Sequence, residues 1–256
     1  MPYARPGAPP ERPPIIAARP LVMAGGMSLA SVAGYVNAVA LGFFHVPVSH
    51  MTGAVSRLGG DLASTDHSDL KVTVGIVAGF LLGAIVSGTI IGETMLRPGR
   101  RYGAVLMIES ALLTAATIML INGIPLGIPV AAMACGLQNA MASSYYGLVI
   151  RTTHVTGIVT DIGVMLGHWL RYRRLAAWKL ALLSSILLSF LFGAIVGSTA
   201  TAWLGMRALF PAATACAIGG ASYGIWAHRL KQRVDLARLR RRERAAQRED
   251  TAERQA

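Results

Sequence analysis

The segment HMTGAVSRLG at residues 50–59 returns as HVTGIVTDIG at residues 154–163, an offset of 104 residues. Two further pairs of similar stretches recur in the same order, at residues 33–40 and 135–142 and at residues 80–86 and 190–196. Three landmarks in a fixed order indicate a duplicated unit. Duplicated units of membrane proteins are either parallel or inverted, and the number of crossings in each unit decides which.

The composition is that of a membrane protein. Of the 256 residues, 54% are hydrophobic and only 14% are charged, which is too apolar for a soluble domain of this length. Backbone polar groups in lipid must be satisfied within the protein, so apolar windows of about 20 residues predict spanning helices. Six such windows lie near residues 21–44, 71–93, 102–121, 126–150, 178–200 and 206–227.

The net charge of +12 comes from basic residues at the ends of these windows rather than from one folded face. Lys and Arg are frequent before the first window, after the second, before the fifth and after the sixth, and they are sparse in the other connections. This alternation is the positive-inside pattern and predicts cytoplasmic N- and C-termini. It disfavours nucleic acid as a partner.

The sequence predicts an all-α, polytopic membrane bundle of about six transmembrane helices, arranged as two three-helix repeats. An odd number of crossings in each copy makes the repeats inverted. Four crossings in each copy would make them parallel, but would require Arg57 to cross hydrocarbon. The predicted parts are a Pro-rich cytoplasmic arm, two repeats and a basic cytoplasmic tail, at residues 1–20, 21–122, 126–228 and 229–256.

The repeated segments at residues 50–64 and 154–168 are too short to cross a bilayer, so we expect two re-entrant or interfacial half-helices. His50 and His154 open them. Free amide hydrogens at a helix start can hold an anion or a carbonyl group. Simple helix capping by His and Thr explains the same spacing. The candidate substrate-binding residues here are His50, Thr52, Gly53, His154, Thr156 and Gly157.

Asn37 and Asn139 form a second duplicated pair, and Gln138 precedes the second of them. Buried amides cost several kcal/mol unless they have partners. These three residues are therefore predicted either to hydrogen-bond between helices or to line a substrate site.

Three charged residues are also candidates. Arg57 and Asp161 occupy equivalent positions of the two copies, and an ion pair between the repeats is one hypothesis. Glu109 lies in the third apolar window. A carboxyl group inside a membrane is a candidate proton carrier or cation ligand, although a position near the interface would also explain it.

No enzyme, metal or cofactor signature is present. Cys135 and Cys216 lie in apolar windows without a metal-ligand spacing, and they are interpreted as packing residues. No catalytic triad and no nucleotide-binding motif is found. We therefore expect no enzymatic activity, no metal and no cofactor.

The runs AGYVNA at residues 33–38 and VSHMTG at residues 48–53 resemble the signature of the YoaK-like family of bacterial inner-membrane proteins, domain of unknown function 1275. Members usually carry Asp and Asn where this chain has Asn37 and Ala54. The resemblance implies an inner-membrane location and about six spans, and no defined activity.

Together these features favour a secondary transporter of a small polar or anionic solute, with a site between the repeats. A channel, or a structural or regulatory membrane protein, is the alternative. The expected partners are the lipid bilayer, anionic lipid headgroups at the basic tail, a small-molecule solute and a second copy in a homodimer.

Overall fold

The computed structural model describes residues 14–45, 48–65, 69–92, 101–143 and 152–255. These residues are almost entirely helical, as predicted. The helices are α1 Pro14–Phe44, α2 Met51–Ala63, α3 Leu70–Ile91, α4 Arg101–Ile121, α5 Gly127–Ser143, α6 Val155–Tyr172, α7 Ala177–Leu204 and α8 Leu209–Gln255, with a short 3-10 helix, Gly205–Ala208, before α8.

Several helices are long and apolar enough to cross a membrane. Candidate spans cover Arg19–Phe43, Leu70–Ile91, Arg101–Ile121 and Ala177–Arg233, and the last of these includes both α7 and the first part of α8. The described part of α5 has 17 residues. Large apolar side chains such as Leu188 and Phe192 are exposed on the outside of the bundle. The chain is therefore a helical protein with the features of a multi-pass membrane protein.

Most helix bounds lie within four residues of the predicted segments, and the differences at α1, α6 and α8 are the informative ones. α1 begins at Pro14 and contains Pro20, so it starts seven residues before the expected position. α6 runs to Tyr172, four residues beyond the expected half-helix. α8 continues through the basic tail to Gln255. Residues 1–13 of the predicted arm lie outside the described residues.

The first copy of the duplicated sequence comprises α1–α4, and the second comprises α5–α8. Counted with its short helix, the first helix of each copy packs on the third helix of the other copy: α1 lies on α7 and α5 lies on α3. Gly193 of α7 faces the Ser31 carbonyl and Gly197 faces Tyr35, so residue numbers rise together and α1 and α7 run parallel. α3 and α5 are likewise parallel, because Gly79 faces Pro129 and Gly83 faces Met133.

Glycine makes this close packing possible. A Cβ atom on Gly34 would overlap the backbone carbonyl of Phe190, and a Cβ atom on Gly136 would overlap that of Phe80. Small residues let helix backbones approach closely where lipid supplies no hydrophobic driving force. The repeated stretches at residues 80–86 and 190–196, FLLGAIV and FLFGAIV, therefore lie in the two main helix contacts.

The last helices of the two copies, α4 and α8, pack on each other in the opposite sense. Gly103 faces Gly220, whereas Glu109, farther along α4, hydrogen-bonds to Cys216, which is earlier in α8. Residue numbers rise in α4 as they fall in α8, so the two helices are antiparallel. A short connection over residues 122–126 then joins α4 to α5, which packs beside it.

We predict that Gly34→Ala and Gly136→Ala lower the thermal unfolding temperature of the purified protein, because added methyl groups in a packed contact typically cost about 1–3 kcal/mol. The matched control is Gly167→Ala in α6, where a Cβ atom meets nothing within 4 Å. Alanine in an exposed helix interior is favoured over glycine by about 1 kcal/mol, so the control should be neutral or stabilising. Equal effects at the three positions would contradict the proposed role of these contacts.

Candidate functional site

The starts of α2 and α6 have nearly the same local geometry. His50 has φ −106° and ψ 84°, and His154 has φ −90° and ψ 60°. Each histidine carbonyl accepts the first bond of its helix, from Ala54 N and Ile158 N at 3.1 Å in both cases. The duplicated sequence thus folds into the same helix start twice.

Both histidine side chains are exposed, and no side-chain capping bond is found at either helix start in the described residues. The histidine side chains therefore do not cap these two helices. The His154 ring lies over Gly157, where a side chain would overlap it. Thr52 and Thr156 are also exposed. The imidazoles and hydroxyls at these starts are accordingly accessible to a ligand.

The residue before each histidine hydrogen-bonds to the duplicated asparagine. Ser49 Oγ donates to Asn37 Oδ1 at 2.8 Å, and Thr153 Oγ1 donates to Asn139 Oδ1 at 3.1 Å. These bonds join the same positions in both copies, with Ser in one and Thr in the other. Each asparagine therefore fixes the start of its own short helix to the preceding span. Ser49 and Thr153 were missed in the sequence, although their spacing from the asparagines is nearly the same in both copies.

Gln138 connects the first helices of the two copies. It is 1% exposed, and its Nε2 donates to the Leu29 carbonyl of α1 at 3.4 Å. Leu29 precedes Asn37 by eight residues, which corresponds to roughly 12 Å along a helix. Asn139, next to Gln138, therefore lies well away from Asn37 along α1. The two asparagines support two separate helix starts rather than one shared amide pair.

One hypothesis from the sequence paired Arg57 with Asp161, and in the structure each of them has a different partner. Arg57 Nη2 lies 2.6 Å from Asp69 Oδ2, and Asp161 Oδ2 lies 3.7 Å from Lys179 Nζ. Each ion pair ties a short helix to the beginning of the next span within its own copy, in keeping with the packing of α2 on α3 and of α6 on α7. Arg57 and Asp161 therefore belong to two different contacts.

The two ion pairs are one contact with exchanged charges. Asp161 follows Arg57 by 104 residues, and Lys179 follows Asp69 by 110, the same offsets as in the surrounding repeated stretches. The short helix supplies the base in the first copy and the acid in the second. All four side chains are at least one-third exposed, so each pair positions a helix and contributes little to stability.

Glu109 lies inside the bundle. It is 2% exposed, so its carboxyl group is enclosed by the protein rather than extended into solvent. The Cys216 thiol hydrogen-bonds to the carboxyl group, and Cys135 of α5 is close enough to interact with it. The Oε2 atom is buried without a hydrogen-bond partner in the described structure. The cysteines were interpreted from the sequence as packing residues. Their contact with Glu109 depends on the packing of α4 against α5 and α8, which the sequence does not give.

Metal binding receives no support from the residues that the structure describes. Among them, no group of three or more His, Cys, Asp or Glu side chains could hold a metal ion. Glu109 and the two thiols do not meet that condition either. The chemistry available to the described groups is hydrogen bonding, anion binding at exposed helix starts and exchange of a proton or cation at Glu109.

Comparison with known families identifies the chain. The family model described as "Protein of unknown function (DUF1275)" matches residues 25–222, about three-quarters of the length. The chain belongs to the DUF1275 family. This confirms the resemblance seen in the sequence. No curated protein and no solved structure matches significantly.

The match to DUF1275 extends from α1 into α8. It therefore includes both repeated segments, both histidine-led helix starts and the Glu109 cluster. The terminal parts of α1 and α8 lie beyond it. The family description of this DUF1275 protein names no activity.

We predict that a double-mutant cycle on Arg57→Ala and Asp69→Ala gives a coupling energy of about 0.2–1 kcal/mol, the range for exposed ion pairs. The cycle on Arg57→Ala and Asp161→Ala should be additive, because these residues belong to different pairs. Thermal or denaturant unfolding of the purified protein measures both. Coupling in the second cycle and none in the first would restore the pairing expected from the sequence.

Proposed function

We propose that this protein is a secondary transporter of the bacterial inner membrane that carries a small polar or anionic solute. In this proposal it has six spans, α1, α3, α4, α5, α7 and α8, arranged as two inverted repeats. The short helices α2 and α6 approach the solute pathway from opposite membrane faces. The main support is the duplication of the exposed histidine-led helix start.

The contact pattern supports an inverted arrangement. The contacts of Gly34 with Phe190 and of Gly136 with Phe80 join equivalent positions with the copies exchanged, which is what a two-fold axis between the copies produces. This axis would exchange α4 with α8, which are antiparallel. A two-fold axis exchanges two antiparallel helices only when it is perpendicular to both of them. An axis perpendicular to the spans lies in the membrane plane, as in many transporters with inverted repeats.

Charge distribution supports cytoplasmic termini. Arg19 stacks on the ring of Trp178 at 5.0 Å, so the starts of α1 and α7 lie at the same end of the bundle. Arg171, Arg173 and Arg174 precede α7 at that end. The first short helix instead lies beyond the far end of α1, where Arg57 is balanced by Asp69. The positive-inside rule assigns the basic end to the cytoplasm.

The helix starts have the chemistry of a solute site. Each has unpaired backbone amide hydrogens and the positive end of a helix dipole, and each places an imidazole and a threonine hydroxyl in accessible positions. At the second start, the Thr152 hydroxyl is fully buried without a partner in the described residues. A buried hydroxyl without a partner is costly, and a solute or water group would satisfy it.

Glu109 supports a coupling role. An ionised carboxylate buried without a cation costs several kcal/mol, and a proton or a bound cation removes that cost. Its unpartnered oxygen can receive either one. Carboxyl groups inside membrane bundles commonly mark proton or ion pathways. We therefore propose that Glu109 carries the coupling ion.

Uptake by proteoliposomes tests the transporter proposal. A panel of radiolabelled anionic and polar metabolites should include one whose uptake saturates with concentration. His50→Ala and His154→Ala should each lower that uptake at least about tenfold, the effect of losing about 1.4 kcal/mol of binding. The control is His228→Ala, which removes an exposed histidine from α8. Flux that never saturates would indicate a channel, and no flux for any solute would indicate a structural protein.

Glu109→Gln tests the coupling role. The amide is nearly the same size as the acid and can still accept a bond from Cys216, but it cannot exchange a proton. We predict that uptake driven by an imposed proton or cation gradient falls at least about tenfold, while exchange of labelled for unlabelled solute continues. Unchanged gradient-driven uptake would contradict a coupling role, and loss of exchange as well would assign Glu109 to solute binding.

A further inference from the structure

The end of α6 differs from its counterpart in the other copy. α2 ends at Ala63, the position equivalent to Gly167, and the next residues of the first copy are Ser64 and Thr65. α6 continues to Tyr172, so the second copy gains more than one helical turn. The first copy forms its short helix without this addition. The added turn is therefore not a requirement of the repeated fold.

The addition brings aromatic and basic side chains together. We call this group the α6 basic–aromatic cluster; it consists of His168, Trp169, Arg171, Tyr172, Arg173 and Arg174. All of its residues are exposed. The Arg173 guanidinium lies 5.7 Å from the Trp169 ring centre and that of Arg171 lies 5.3 Å from the Tyr172 ring centre, both within cation–π range.

The cluster surrounds an open cavity of about 490 Å³, lined by His168, Tyr172 and Arg174. Arg173 has a φ of 54°, a left-handed conformation that glycine adopts more readily at a helix end. Arg173 therefore occupies a position where glycine would be less strained. The ion pairs of the described residues join Arg57 to Asp69 and Lys179 to Asp161, so the arginines of the cluster have no acidic partner among those residues.

The rest of α6 has the pattern of an interfacial helix. Ile158 is buried in the bundle, whereas Val159, Leu166 and Leu170 form an exposed apolar face at helical spacing. An apolar face that ends in Trp, Tyr and Arg is typical of helices lying at the boundary between headgroups and acyl chains. Arg binds phosphate oxygens through two parallel hydrogen bonds, which gives the cluster a defined ligand chemistry.

We propose that the α6 basic–aromatic cluster is a binding site for the phosphate headgroups of anionic phospholipids. The apolar face of α6 contacts the acyl chains, Trp169 and Tyr172 lie at the headgroup level, and the arginines bind the phosphates. This site is separate from the basic tail of α8 and from the histidine-led helix starts. It does not depend on the transport proposal.

Lipid-dependent thermal unfolding of the full-length protein in detergent tests the site. Phosphatidylglycerol should raise the unfolding temperature progressively as its concentration increases, and phosphatidylcholine should not. The combined variant Arg171→Gln, Arg173→Gln and Arg174→Gln should lose more than half of that increase. The charge-matched comparison, Arg229→Gln, Lys231→Gln and Arg233→Gln, removes the same charge from the basic tail, where headgroup contact is also expected, and should lose less of the increase than the cluster variant.

Two further arms identify the ligand. Inorganic phosphate at the same concentration should give no increase, because it lacks the acyl chains that α6 contacts. High salt should reduce the phosphatidylglycerol effect in the wild-type protein and change little in the cluster variant. Equal losses in the two triple variants would overturn the site in favour of overall charge. A full increase in the cluster variant, or an oligomeric state that only this variant loses, would also overturn it.

Discussion

The fold depends on the direct approach of helix backbones between the two copies. Gly34 and Gly193 bring α1 against α7, and Gly136 and Gly83 bring α5 against α3. Lipid tails are as apolar as the helices, so contact area and backbone proximity must hold the bundle together. Because both contacts join one copy to the other, they fix the relation of the two short helices. The positions of both candidate helix starts follow from these glycines.

Much of this arrangement can be predicted from the sequence. The bounds of α3 and α4 agree with their apolar windows to within two residues at each end, because a buried helix in lipid is an uninterrupted apolar run. The extension of α6 to Tyr172 was missed, since amphipathic and charged residues end an apolar window without ending a helix. For the same reason α8 continues through the basic tail.

The candidate site was predicted less completely, and the reason is geometric. Sequence comparison shows that Arg57 and Asp161 are equivalent, but it gives no distance between equivalent positions. The signal for the observed pairs was present, because Asp69 and Lys179 are also equivalent and also have opposite charges. Glu109 was selected for its depth in a span, whereas its contact with Cys216 depends on the antiparallel packing of α4 and α8.

Charge exchange in the two ion pairs has a simple explanation in an inverted arrangement. A contact repeated on opposite faces of a membrane meets different surroundings, because the cytoplasmic face favours Lys and Arg in loops. The copy with Asp161 in its short helix places its base, Lys179, at the start of the span. In the proposed inverted arrangement, the same contact would carry charges suited to each membrane face.

The crossed pairing of α1 with α7 and of α3 with α5 affects how the protein is made. During synthesis, α1 and α3 enter the bilayer before their partner helices exist. They must remain there as separate helices with uncovered glycine faces until α5 and α7 are translated. A protein truncated after residue 122 would therefore insert without reaching a packed state and would be a substrate for membrane quality-control proteases.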